Sequence, residues 1–113
     1  MSQVESKVNS CIQYILNSAL FHWYDNDHTT KVRKYLSQAI KEKNIKKKID
    51  FLIKASDKMM EMNTKMMEIN IEANDQNIIQ VSEQIRFLGT KLENNSTLTV
   101  SSFKNKFPFG CGN

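Results

Sequence analysis

Histidine and cysteine are the side chains best suited to act as bases, nucleophiles or metal ligands near neutral pH. This 113-residue sequence holds two of each: His22, His28, Cys11 and Cys111. Neither histidine stands at metal-ligand spacing from a cysteine or from the other histidine. Cys11 falls on an apolar stripe, where a thiol is buried and inert. About a hundred residues separate it from Cys111 with no further thiol, so no structural disulfide is expected. Met59, Met60, Met62, Met66 and Met67 form a cluster, but thioethers alone suit Cu(I), and neither His nor Cys accompanies them. No glycine-rich phosphate loop, paired-carboxylate signature or nucleophile elbow occurs. The sequence therefore predicts a protein that is not an enzyme, with no catalytic, cofactor-binding or metal-binding residue and no cofactor.

What remains is chemistry of binding. Lys41, Lys43, Lys46, Lys47 and Lys48 make the one dense basic patch, a candidate site for phosphates of nucleic acid or of anionic lipid. Few aromatics interleave with it, so it offers no stacking platform for single strands. Charge is also segregated along the chain: eight basic residues face one acidic residue between Lys31 and Lys48, whereas seven acidic residues face three lysines between Ile49 and Glu83. Such a layout can orient a partner or pair two copies head to tail. Near the C-terminus, Phe103, Phe107 and Phe109 interleave with two lysines beside Cys111, a composition suited to a docking tail or to covering an open end of a helical bundle.

The elements that position these residues are helical. Before residue 108 there is no proline and a single glycine, Gly89, so little interrupts a long helix. Val4, Val8, Cys11, Ile12, Ile15, Leu16, Ala19, Leu20 and Trp23 recur at intervals of three and four, predicting one helix from Gln3 to Tyr24. The polar run Asp25 to Thr30 predicts a loop, and Val32, Tyr35, Leu36, Ala39 and Ile40 a second helix from Lys31 to Lys43. Asn44 is either a break or a surface position. Ile45, Ile49, Leu52, Met59, Met62, Met66 and Ile69 then mark the strongest helix, with Asp50 to Lys54 and Glu61 to Lys65 as favourable pairs on its other face.

Ile78, Val81, Ile85, Leu88 and Leu92 continue as a short heptad-like seam. Read backwards, it passes through Asn74 and Ile71, so an unbroken rod from Ile45 to Glu93 competes with a hairpin turning at Ala73 to Asn77. Beyond Asn94 the helical pattern stops. The tandem Asn94-Asn95-Ser96-Thr97 reads as a polar cap following a helix.

One all-α domain follows, residues 1–95, built as a three- to four-helix bundle or an elongated helical hairpin with coiled-coil character. Residues 96–113 are expected to be a flexible or partly extended tail. An apolar share of 40% with 25% charge is near globular averages and excludes wholesale disorder. No stretch approaches the length of a membrane-spanning helix, and Met1 to Asn9 lacks the order of a secretory signal, giving the expectation of a cytoplasmic or nuclear protein that is not secreted. The expected function is protein–protein interaction, as a self-associating homo-oligomer or as a subunit or adaptor of a larger assembly, including the viral or phage accessory kind. Its contact surface would be the seam Ile71, Ile78, Val81, Ile85, Leu88 and Leu92, because a narrow apolar stripe must be covered by something. Two alternatives are a basic helical regulator that binds nucleic acid and a protein that rests on an anionic membrane.

Overall fold

A computed structural model describes residues 3–106 of the chain. Helix α1, Gln3–Leu16, buries Val8, Cys11, Ile12 and Ile15. It ends where the sequence predicts continuity. The backbone N–H of Ser18 bonds the carbonyl of Ile15 at 2.9 Å, and the Ser18 hydroxyl accepts from the N–H of Leu20 at 3.2 Å. A serine competing in this way for backbone groups ends a helix without proline or glycine. The single turn α2, Leu20–Trp23, follows.

Asn26 opens α3, Asp27–Lys41, with a reciprocal cap: its side chain accepts from the N–H of Thr29, and the Thr29 hydroxyl accepts from the N–H of Asn26. Asn44 is a true break. It caps α4, Ile45–Ile69, by accepting from the N–H of Lys47 at 3.1 Å. After α4 comes one 3-10 turn, Ile71–Ala73, and then α5, Gln76–Asn94, capped by Asp75. The hairpin is thereby realised and the continuous rod is not. Asn95 closes α5 in the left-handed conformation, φ 49°, with the N–H of Ser96 bonded to the carbonyl of Lys91 at 3.1 Å, a role asparagine tolerates better than most residues.

Helices α1, α3, α4 and α5 each pack on the next, and α5 packs back on α1, closing a ring of four. Cross-helix contacts fix the directions. Asn26 meets Met62 and Lys48 meets Ala39 between α3 and α4; Ser56 meets Ser82 and Asn63 meets Asn74 between α4 and α5. Consecutive helices run antiparallel, as short connections require in an up-and-down bundle. The molecule measures 43 × 27 × 21 Å, and α4, about 37 Å at 1.5 Å per residue, spans most of its long axis.

The expected tail requires correction over its described part. Residues Val100–Lys106 form a further helix, α6, started by a Thr99 and Ser102 pair that exchange side-chain to backbone bonds at 3.0 and 3.2 Å. Phe103 is fully buried, edge-on to Tyr14 at 6.2 Å and tilted against Phe87 at 6.2 Å. Lys104 lies over the Tyr14 ring and Lys106 over Phe87. Leu98 also enters the core. Phe103 is therefore an anchor of the fold and not a docking side chain; Phe107 and Phe109 lie outside the described residues.

Candidate functional site

The seam proposed as a contact surface is enclosed. Ile78, Val81, Ile85 and Leu88 are fully buried and Leu92 nearly so, in the same core as Leu36, Leu52 and Met59. The stripe needs cover, and α4 and α1 of its own chain supply it. Of the six seam residues only Ile71 is outside, 76% exposed, with Ile69 beside it at 91%.

Geometry explains that exposure. Asn26, just before α3, meets α4 at Met62, and Asn74, just before α5, meets it at Asn63. The remaining turns of α4, from Thr64 to Ile69, run about 9 Å past these contacts, with Met66 still packed on the core and Ile69 beyond it. The overhang is held firmly. Buried Asn63 donates to Asn74 Oδ1 at 2.9 Å and accepts from the N–H of Asp75 at 3.1 Å. Asp75 accepts from the N–H of Asn77 at 2.9 Å and from the Tyr24 hydroxyl at 2.5 Å, which tethers the tip to the α2–α3 connection. Asn70 accepts from the N–H of Glu72 at 3.0 Å, fixing the turn between the two isoleucines. Burial and the Asp75 carboxylate push the Tyr24 phenol up to about 12, keeping its proton in that bond. Trp23, 59% exposed, stands at the same end of the bundle.

From Thr64 to Asp75 the chain carries three carboxylates, Glu68, Glu72 and Asp75, against one basic residue, Lys65, a net negative balance. The apolar tip is thus rimmed by negative charge. At the opposite end, Lys41, Lys43, Lys46 and Lys47 are exposed, with Glu42 the one acidic residue between them, and among the described residues none is held in an ion pair. Half-buried Ile40 and Ile45 lie among them. Lys48 must be withdrawn from this patch. It is fully buried, its Nζ donating to Asn9 Oδ1 and to the carbonyl of Ala39, both at 2.6 Å. Burial lowers its pKa, against an upward pull from Glu5 and Glu42. Stepping back four residues from Leu52 along the stripe Leu52, Ala55, Met59, Met62 reaches Lys48, a phase signal available in the sequence.

Both ends of α4 oppose its own dipole. Lysines stand at the positive N-terminus, Glu68 stands in the last turn, and the first turn has no acidic residue and the last no basic one. Each arrangement is locally unfavourable.

Among the described residues, the surface includes two clefts of about 490 Å³. One lies between the start of α1, with Val4 and Lys7, and the segment from Asn95 to Thr99. The other is shallower, formed on α5 by Glu83, Arg86, Phe87 and Thr90 with Lys106 at its edge. Among the described residues, neither is lined by a histidine, a cysteine or two carboxylates. Among the described residues no three His, Cys, Asp or Glu side chains are grouped to hold a metal ion, and no helix is long and apolar enough to cross a membrane.

Fold and surface define an all-helical bundle with one acidic, apolar end and one basic end. No family model matches the sequence, and neither curated proteins nor solved structures give a significant match.

Proposed function

We propose that this protein is a non-catalytic interaction module that docks another protein surface through the overhanging tip of α4. The observation that carries the reading is the adjacent pair Ile69 and Ile71, 91% and 76% exposed on a turn pinned by side-chain hydrogen bonds. A large apolar side chain held rigidly in water loses little conformational freedom on binding, so its burial against a partner contributes almost undiminished. The acidic rim favours a partner surface that is apolar at its centre and basic around it.

A photo-crosslinking residue at position 71 tests this in cells, with one at exposed Ser101 as the control. Discrete adducts, with self or with another protein, are expected at position 71 and not at position 101; equal labelling from both positions removes the reading. The four exposed lysines favour a second reading, an anionic partner such as nucleic acid at the opposite end. Retardation of nucleic acid that weakens steeply with salt supports it, and no retardation at low salt ends it.

A further inference from the structure

We infer that the partner of the apolar tip is a second copy of this chain, bound head to tail, with Ile69 and Ile71 of one molecule seated among Lys41, Lys43, Lys46 and Lys47 of the next. The inference rests on the docking reading above and names its occupant.

Complementarity is the first argument. Two exposed isoleucines rimmed by Glu68 and Glu72 match a face where half-buried Ile40 and Ile45 lie among four lysines that form no ion pair among the described residues. The two faces cannot satisfy one another within one molecule. They occupy opposite ends of α4, about 37 Å apart, several times the screening length of about 8 Å in physiological salt. Their charges can be neutralised by each other only between molecules.

The helix dipole supplies a second, independent argument. Lysines at the start of α4 and Glu68 at its end are both misplaced for an isolated helix. Stacking the C-terminal end of one α4 on the N-terminal end of the next puts each misplaced charge opposite its complement and aligns the two dipoles. Local rules broken at two sites with a single remedy mark a functional arrangement. Because the contact joins two different faces, each added molecule presents a fresh copy of both, so the assembly is an open series or a closed ring and not a symmetric pair.

Sedimentation velocity at low salt over a hundredfold concentration range tests the inference. Wild-type protein should form a concentration-dependent series beyond two chains that shifts toward monomer as salt rises. Ile69→Ser with Ile71→Ser should be monomeric, and so should Lys46→Gln with Lys47→Gln, each keeping the wild-type helical signal and melting temperature. Mixing the two variants is decisive, since each retains one working face: a species of two chains and nothing larger is expected. A mixture that stays monomeric, a wild type that stops at two chains, or one that is monomeric throughout overturns the inference. In the last case adducts from position 71 to a different protein would leave the docking reading standing, whereas their absence would remove both.

Discussion

Three consecutive lysines on a helix cover more than half its circumference, so in a packed bundle one of them must face inward. Lys48 is that residue, and its two short hydrogen bonds hold α1, α3 and α4 together at one level. Buried ionisable groups of this kind leave a signature in the dependence of stability on pH. Burial lifts the Cys11 thiol from an ordinary 9.0 to about 11. The folded state thus favours the neutral thiol; its contribution is whole below pH 9 and is lost as pH rises toward 11. Tyr24, raised to about 12, acts in the same direction over the next interval. Lys48 acts oppositely: its lowered pKa means that the fold gains stability as the pH climbs through its folded value toward 10.5. Subtracting the pH profile of Cys11→Ala from that of the wild type isolates the thiol. The difference in unfolding free energy between pH 8 and 11 should be on the order of 2 kcal/mol. A flat difference would show a thiol that titrates as freely folded as unfolded.

Elements followed the sequence where apolar spacing and capping residues agreed, and departed from it where one side chain outweighed the spacing. α3, α4 and α5 start at Asn26, Asn44 and Asp75, short polar residues that accept a backbone N–H. Asp75 lies within the turn expected at Ala73 to Asn77, whereas Asn26 lies inside the run expected to be a loop, so α3 begins four residues before the expected Lys31, and Asn44 needed the structure to separate a cap from a surface position. The break at Ser18 was hidden because Ala19, Leu20 and Trp23 resume the interval of three and four across the gap. Helix α6 was hidden because its cap, Thr99 with Ser102, lacks the glutamate that usually signals one, and because one phenylalanine is its whole buried face. A helix of seven residues is unstable alone, so Phe103 must hold it by packing. Phe103→Ala should therefore release α6 and cost about 3 kcal/mol. Hydrogen exchange would show the amides from Phe103 to Lys106 exchanging at free-peptide rates while those of α5 stay protected. The opposite sign is expected at Gly89, in the last third of α5. A methyl group there would meet Ile49 Cγ2 at 4.0 Å, an ordinary contact. Gly89→Ala should raise stability by about 0.5 to 1 kcal/mol, read from the urea midpoint, because alanine loses less backbone freedom on forming the helix.

At the scale of the whole molecule, the large apolar residues divide into a closed interior and one strongly exposed end, with Ile53 part-way along α4 also open to solvent, and the division was only half legible. Periodicity identified Ile78, Val81, Ile85, Leu88 and Leu92 as a stripe needing cover, but the same stripe arises whether the cover is another chain or the chain's own α4 and α1. What resolves it is the turn at Asn70 to Asp75, which folds α5 back along α4 and leaves Ile69 and Ile71 beyond the last packed layer. Interior and end should respond to mutation in opposite ways. Leu88→Ala removes a fully buried side chain from a core that cannot collapse around it, and should cost about 2 to 5 kcal/mol of unfolding free energy while the folded fraction associates as the wild type does. Ile69→Ser with Ile71→Ser removes side chains that touch little within the molecule, so the melting temperature should stay within about 2 °C of wild type while association is lost. Measuring melting and sedimentation for both variants separates the two roles. A large loss of stability in the tip variant would place Ile69 and Ile71 in the core with the seam, and unimpaired association would strip the overhang of its purpose.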